Sequence, residues 1–564
     1  MSISKRLIAL LVAVSALVLV FPVGAAEGGR DDRGTHTNLI LDTDPEGGYE
    51  GDYVVIYNPT YGTEYAGSTG SLNGKIETEV DPGNSFVPVS DAFTADPVRP
   101  GKIDVHDELR LLEPQGPAPL PEKGNWQVGD TKDFNIQYYS PAGYAGAVRF
   151  KLLYIGAHCR VWTPVKQSYC PLDGIDASYA ATAANEFDGK FDLMRSSFGD
   201  FYDPSGDGKV NMLFYNIDDG WEPGYSYIAG YFWAGDYYYN SLPAIHIDTY
   251  PGVLYTNEYG ESTADISSCY GTLVHEFQHM INYSTTQNGM HTWLDECFSG
   301  AAEELCYPGS GLFTRIQSWQ GFYYQSYSQL VNPVKEVAYD PNIWLHRGGP
   351  LPYWNDSDDD ILSRYAAVMF FSQYLIASCG GSSVFKRISE NCRSDSVADS
   401  LDALTAGTGM TLEQIWRGYA ISMIANDYGS GYGFAMNPGY DPDEYYGIQN
   451  LYDLLPAVIY TSTKAASING GGFITVKPKN GVFVPPATAS DKLRYAGISF
   501  ADYIPGDVNG DGTVDTEDAL LALRCALGLI TLDPDEFRRA DIDRNGVIDT
   551  EDALRILRAA LGIH

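Results

Sequence analysis

The segment from Leu273 to Asn282 contains the residues with the clearest chemical potential in this chain. It places His275 and His279 four residues apart, and on an α-helix this spacing puts both imidazoles on one face, where they can bind one metal ion. Glu276 is turned about 100° from His275, so its carboxylate can reach a metal-bound water without becoming a ligand. The pattern predicts one catalytic zinc ion, with Glu276 as the group that accepts a proton.

A third protein ligand is expected, because catalytic zinc usually has three protein ligands and keeps one position open for water. Downstream, the strongly helical segment from Trp293 to Leu305 offers three carboxylates, those of Glu296, Glu303 and Glu304. We predict that Glu296 is the ligand. Glu303 lies seven residues later on the same face and is then the expected hydrogen-bond partner of a zinc histidine. The reverse assignment of Glu296 and Glu303 remains open.

The only clear internal repeat lies near the C-terminus, where Asp507–Leu529 and Asp541–Ile563 align at an offset of 34 residues. Each half has oxygen ligands at positions one, three, five, nine and twelve of a loop, with Gly at position six, as calcium loops do. A backbone carbonyl can serve at position seven. The candidate calcium ligands are Asp507, Asn509, Asp511, Thr513, Asp515 and Asp518 in the first loop, and Asp541, Asp543, Asn545, Val547, Asp549 and Asp552 in the second. The repeat therefore predicts two calcium ions, each bound by a loop that runs into an apolar helix.

The elements that must position these residues indicate an α+β fold, because helical patterns concentrate between about 175 and 425 with short strands among them. The predicted helices are Tyr179–Phe198, Gly271–Tyr283, Trp293–Cys306, Ile361–Ala377 and Leu412–Asn426, and the predicted strands include Tyr53–Tyr57, Ala147–Ile155, Val210–Tyr215 and Ala244–Asp248. We divide the chain into a signal peptide (1–26), an N-terminal β-rich region or pro-region (27–125), a catalytic domain (126–450), a β-rich closing module or linker (451–502) and the calcium-binding module (503–564).

The N-terminus and the bulk composition bear on location and partners. Lys5 and Arg6 precede an apolar run from Leu7 to Val20 and a small-residue exit, which is typical of a secretory signal peptide. The run is shorter than the roughly 20 residues of a membrane span, so an anchor is the less favoured alternative and no membrane span is expected. The formal charge of −37 argues against nucleic acid as a partner. Sequence does not choose among the pairings of the eight cysteines, but short loops make Cys159–Cys170 and Cys379–Cys392 the least costly disulfides.

The metal-site segment, together with Trp293-Leu-Asp-Glu296, resembles the gluzincin metallopeptidases, whose third ligand is a Glu on a second helix. Four stretches resemble the hyicolysin-type bacterial peptidases: His158–Trp162, Phe198–Val210, His275–Tyr283 and Tyr365–Phe370. The resemblance covers roughly residues 126 to 450 and departs from the family at Asp295, where Asn is usual. It implies a zincin-like domain that hydrolyses peptide bonds in a protein or peptide substrate with a zinc-activated water. A further donor should stabilise the oxyanion; Tyr365 and His291 are the candidates, and Tyr365 is our choice.

The C-terminal repeat resembles a type I dockerin over residues 503–564. Asp rather than Glu stands at position twelve of both loops, and no helix clearly precedes each loop. The resemblance implies that the module binds a cohesin of a scaffoldin through positions ten and eleven of each loop, which are Thr516, Glu517, Thr550 and Glu551.

Two other functions stay open beside a secreted, extracellular zinc endopeptidase that is free or held at the cell surface through a scaffoldin. The first is a non-catalytic component that uses the dockerin alone, and the intact set of His, Glu and His residues counts against it. The second is a polysaccharide-degrading component of a cellulosome-like complex, because dockerins usually accompany such enzymes. The 42 tyrosines and 9 tryptophans could line sugar sites, but no carboxylate pair can be singled out as acid and nucleophile.

Overall fold

The structure is a computed structural model of the chain. It describes residues 35–36, 39–43, 48–51, 53–68, 125–136, 146–165, 174–217, 219, 221, 227–256, 262–286, 289–307, 349–354, 361–425, 432–434, 465–476, 482–500, 504–532, 534–542 and 547–562. The predicted signal peptide and two candidate calcium ligands, Asp543 and Asn545, lie outside these residues. No single described helix is long and apolar enough to cross a membrane. The bent pair Arg364–Ser378 and Ser383–Ser389 passes that test together, by length and composition only.

The strands fall into two main sheets and several two-stranded pairs. In chain order they are β1 (Thr35–His36), β2 (Leu39–Asp42), β3 (Tyr49–Glu50), β4 (Tyr53–Tyr57), β5 (Glu64–Ser68), β6 (Thr131–Ile136), β7 (Gly146–Ile155), β8 (Cys159–Pro164), β9 (Val210–Tyr215), β10 (Gly230–Phe232), β11 (Ala244–Asp248), β12 (Leu254–Thr256), β13 (Ser262–Ala264), β14 (Ala465–Ile468), β15 (Phe473–Val476), β16 (Val482–Phe483) and β17 (Arg494–Phe500).

The described helices number ten, counting α-helices only, and they separate into a central group and a C-terminal group. In chain order they are α1 (Ala177–Phe198), α2 (Tyr270–Thr286), α3 (Thr292–Cys306), α4 (Ile361–Ser378), α5 (Ser383–Ser389), α6 (Val397–Thr408), α7 (Leu412–Ala425), α8 (Thr516–Ala526), α9 (Pro534–Ala540) and α10 (Thr550–Ala560). All five predicted helices are present, with ends that differ by at most a few residues. The α+β fold class is confirmed.

A six-stranded sheet in the order β10-β11-β9-β8-β7-β6 carries the central helices on one face. The strands β8, β9 and β11 are parallel, and β10 runs antiparallel to β11 at the sheet edge. Alternate residues of these strands, such as Met212 and Phe214 of β9, point into a core shared with α1 and α2. Their neighbours, such as Leu213 and Tyr215, fill a second core on the opposite face. Both faces are covered, which explains why β8, β9 and β11 are continuously buried.

The second main sheet joins the two ends of the chain outside the C-terminal module. Its order is β1-β2-β17-β4-β15, so β17 lies between β2 and β4, and β15 lies on the other side of β4. Its pairs are antiparallel, and β4 is hydrogen-bonded to β15 on one side and β17 on the other. The sequence pattern predicts strands in both segments but not that they belong to one sheet.

The C-terminal module has its own small core, formed by residues such as Val508, Ala522, Ile548 and Ile556. Helices α8 and α10 begin with matching capping boxes, in which Asp515 and Asp549 are the N-cap residues. A short helix, α9, ends at Ala540 directly before the second loop. The expectation that no helix precedes a loop is therefore wrong for the second half of the repeat.

Cys159, Cys269, Cys297, Cys306, Cys392 and Cys525 are free thiols. Because Cys392 is free, the predicted pairing of Cys379 with Cys392 is wrong, and Cys170, the predicted partner of Cys159, lies outside the described residues. Cys392 is buried in the main core, where burial raises the pKa of its thiol to about 12, whereas Cys379 is partly exposed just beyond the end of α4.

Candidate metal centre

Helices α2 and α3 pack against each other and bring four acidic or basic side chains into the protein interior. His275, Glu276 and His279 of α2 and Glu296 of α3 are each at most 4% exposed. Such residues are rarely buried without a partner or a metal, because removing a charge or a polar group from water costs free energy. The surrounding residues of both helices, including Val274, Phe277 and Phe298, are apolar and fully buried.

Three donor atoms of these side chains converge on one point. The Nε2 atom of His275 lies 3.3 Å from Oε2 of Glu296, and Nε2 of His279 lies 3.8 Å from the same oxygen. One ligand atom from each residue lies within 4.8 Å of the others. Ligands at about 2.0–2.2 Å from a tetrahedral zinc ion are separated by about 3.4 Å, which is close to the spacing seen here. The buried Nε2 atom of His275 has no hydrogen bond within the described part of the chain. The donor set therefore suits zinc.

The other ring nitrogen of each histidine, Nδ1, lies next to a carboxylate. Nδ1 of His275 lies 2.5 Å from Oε1 of Glu303, and Nδ1 of His279 lies 3.1 Å from Oδ2 of Asp295. A carboxylate that accepts the Nδ1–H leaves the lone pair of Nε2 directed at the metal position. The structure thus places Glu303 beside His275, and it brings Glu296 rather than Glu303 to the Nε2 atoms.

Asp295 is itself held by hydrogen bonds, and its contact with His279 was not predicted from the sequence. The side-chain amide of Asn282 donates to Oδ1 of Asp295, and the hydroxyl of Ser389 donates to the amide oxygen of Asn282. The available signal was the position of Asp295 directly before a ligand on a helix that faces α2.

The carboxylates also set the charge of His279 in the metal-free protein. Burial alone would lower the pKa of this imidazole, but the nearby charges of Asp295 and Glu296 outweigh burial and raise the pKa to about 9. Metal-free His279 is therefore protonated at neutral pH, and a metal ion must displace that proton to bind Nε2.

The carboxylate of Glu296 is fixed by two hydroxyl groups. Ser299, one turn later in α3, donates to Oε2 at 3.1 Å, and the phenol of Tyr365 in α4 donates to Oε1 at 3.3 Å. Tyr365 is thus next to the candidate metal position, and in this structure its hydroxyl contacts Glu296. His291, the other candidate oxyanion donor, is the N-cap residue of α3, and its Nδ1 atom accepts from the backbone N–H of Trp293 at 3.4 Å.

Glu276 lies next to Gly230 of the edge strand β10. A Cβ atom added to Gly230 would lie 3.3 Å from Cγ of Glu276, 2.6 Å from Cγ2 of Thr272 and 2.7 Å from the carbonyl oxygen of His246. The absence of a side chain at Gly230 allows β10 to lie directly against α2 at this point. Glu276 therefore lies beside an edge strand.

In the first candidate calcium loop, the residues form a closed turn around Asp507. Its carboxylate accepts the backbone N–H groups of Asp511 and Gly512 at 3.0 and 2.8 Å. Gly512 has a φ of 91°, the left-handed conformation that the sixth position of such a loop requires. The carboxylate of Asp518 accepts the N–H groups of Asn509 and Asp515.

In the second loop, Asp552 occupies the position equivalent to Asp518. It is fully buried, and it accepts the N–H groups of Ile542 and Asp549 at 2.9 and 3.0 Å. Asp541 is buried and Val547 is exposed. The predicted cohesin contacts Thr516, Glu517, Thr550 and Glu551 lie at the first turns of α8 and α10 and are exposed.

Known proteins resemble this chain in two separate regions. Residues 505–560 match the sequence profile of the type I dockerin domain. Over 317 residues, the chain is 30% identical to the neutral metalloprotease ShpI of Staphylococcus hyicus. That alignment covers 52% of this chain and 64% of the relative, so the chain spans just under two thirds of the relative's length. A type I dockerin at the C-terminus and a likeness to a metalloprotease over half of the chain confirm the two resemblances predicted from sequence.

Proposed function

We propose that this chain, which is similar to a metalloprotease and ends in a dockerin, is a secreted zinc endopeptidase of zincin-like fold. The observation that carries the proposal is the convergence of the Nε2 atoms of His275 and His279 with Oε2 of Glu296 at separations suited to one zinc ion. The assignment of each residue is our inference from this geometry.

Zinc bound by these three residues would supply Lewis acidity, which makes a water molecule more acidic and polarises the scissile carbonyl. The protein supplies the rest. Glu276 accepts the proton of the attacking water and returns it to the leaving amine nitrogen. Glu303 and Asp295 keep Nε2 of each histidine free to bind the metal. The Tyr365 phenol can leave Glu296 and donate to the oxyanion, which is the catalytic role that we assign to it.

The dockerin gives the second half of the proposal. Two calcium ions would be bound by the two loops, with the carboxylates of Asp507, Asp518, Asp541 and Asp552 as the buried ligands. The exposed first turns of α8 and α10 would then present Thr516, Glu517, Thr550 and Glu551 to a cohesin module. The enzyme would act outside the cell, on a protein or peptide substrate, as part of a scaffoldin complex.

The test is hydrolysis of an unstructured protein such as casein by the purified chain. Cleavage should stop when a chelator removes zinc and return when zinc is added back. His279→Ala should bind zinc weakly and remain inactive. Release of sugar from a polysaccharide, unaffected by the chelator, would instead favour the polysaccharide-degrading alternative. Untreated protein that contains no zinc, binds a cohesin and cleaves nothing would favour the non-catalytic alternative.

A further inference from the structure

The strands near the N-terminus, β1, β2 and β4, share a sheet with β15 and β17, which come from residues 473–500. Residues Tyr53–Tyr57 pair with Phe473–Val476 on one side and with Arg494–Ile498 on the other. Residues Leu39–Asp42 pair with the free side of the same last strand, β17. Without the N-terminal strands, β17 would expose two edges of unpaired backbone N–H and C=O groups, which is unfavourable in water and promotes association.

The fit between these segments is close. A Cβ atom on Gly51 would lie 2.6 Å from the backbone nitrogen of Ile498, and one on Gly497 would overlap the carbonyl oxygen of Glu50. The side-chain amide of Asn58 donates to the carbonyl of Ile468 at 2.7 Å. Contacts of this kind match the close packing of a folded interior.

Both faces of β4 are buried. Val54 and Ile56 pack in a small core with Ile474 and Phe483, residues of the C-terminal strands. Val55 and Tyr57 belong instead to the main core of the molecule, which also contains residues of the metal-site helices. Residue 55 is fully buried and residue 57 is 2% exposed.

Contacts also connect the sheet to the helices that carry the metal site. Helix α7 packs on β4, and Glu413 of α7 lies 3.6 Å from the Arg494 guanidinium of β17. Trp416 of α7 contacts Phe371 of α4 at 5.4 Å and Trp293 of α3 at 6.4 Å between ring centroids. The N-terminal strands are thus connected through α7 to α3, the helix of Glu296.

We propose that residues 35–68 are a permanent structural part of the mature protein and not a pro-region that leaves on activation. Their partners are the edges of β15 and β17, and helix α7 packs on β4. If the chain is cut between residues 68 and 125, the N-terminal piece is expected to stay bound and to maintain the fold of the metal-site domain.

The test is a full-length variant with a recognition sequence for a specific protease inserted between residues 68 and 125. After complete cutting, both pieces should co-elute from a sizing column without denaturant and separate only in denaturant, with unchanged thermal unfolding. Release of the N-terminal piece from a protein that stays folded would overturn the proposal. Co-elution and thermal unfolding do not depend on peptidase activity, so they test this proposal separately from the proposed function.

A matched pair of substitutions gives a second measurement. Val55→Asp puts a charge into the shared core and should lower the unfolding temperature of the metal-site domain or prevent its folding. Val484→Asp, at a position that is 46% exposed and follows β16, should leave the unfolding temperature unchanged. Equal behaviour of the two variants would contradict the proposal. In secreted active protein, loss of residues 35–68 would contradict it as well.

Discussion

The contact between Gly230 and the metal-site helix gives a sharp prediction about Glu276. In Gly230→Ala, the new methyl group would lie 2.6 Å from Cγ2 of Thr272 and 3.3 Å from Cγ of Glu276. The backbone of Gly230 has no positive φ, so alanine adds no conformational strain, and the effect is steric alone. Because the carbonyl of His246 on β11 is only 2.7 Å away, the methyl group cannot be accommodated on that side. Strand β10 and helix α2 must therefore move apart.

Insertion of extra atoms into a packed core costs about 1–3 kcal/mol. We therefore expect Gly230→Ala to lower the free energy of unfolding by that amount. A displacement of a catalytic group by about 1 Å can reduce the rate 100-fold, so kcat/KM should fall by about 10- to 100-fold. Zinc content should not change, since the added methyl group lies against Glu276 and not against the ligand nitrogens.

The matched control is Gly189→Ala on α1. A Cβ atom at Gly189 meets no atom within 4 Å, and alanine is favoured over glycine in a helix by about 1 kcal/mol. This variant should be as stable as the wild type or more so, with unchanged kcat/KM. The measurements are chemical denaturation and casein hydrolysis. Wild-type stability and activity in Gly230→Ala would refute the placement of β10 against Glu276.

Three further predictions concern the metal ions. Asp295→Ala and Glu303→Ala should each weaken zinc binding by about 10- to 100-fold in competition with a chromophoric chelator, and unchanged affinity in both would argue against their orienting role. The raised pKa of His279 in the metal-free protein contributes stability that is present below its unfolded value of about 6.5 and is lost as pH rises through about 9. The metal-free protein should therefore lose stability between about pH 6.5 and pH 9, and the zinc-loaded protein should not show this loss. The same dependence of stability on pH in both forms would contradict the raised pKa of His279. Asp518→Ala and Asp552→Ala should each remove one calcium ion from the C-terminal module, as measured by calorimetric titration, and undiminished calcium binding in both would contradict the ligand assignment.

Local patterns made much of the site predictable. The four-residue spacing of His275 and His279 determines a helix face by itself, and α2 extends from Tyr270 to Thr286 around the predicted segment. The choice of Glu296 relied on a second strongly helical segment, and the structure brings its carboxylate to the histidines.

Features that depend on distant parts of the chain were not predictable in the same way. The pairing of Tyr53–Tyr57 with Arg494–Ile498 joins residues more than 400 positions apart, and alternation in each segment shows only that each is a strand. Strand β10 has three residues, too few to show a period, although it approaches Glu276. The contact of Tyr365 with Glu296 and that of Asp295 with His279 depend on how α2, α3 and α4 pack together.

The central claim is that His275, His279 and Glu296 hold zinc and that Glu276 moves the proton. The most direct test is zinc content and casein hydrolysis of the wild type beside Glu276→Gln. We predict about one zinc ion per chain in both proteins and cleavage by the wild type alone. A wild type that binds no zinc, or a Glu276→Gln protein that cleaves as fast as the wild type, would contradict the account.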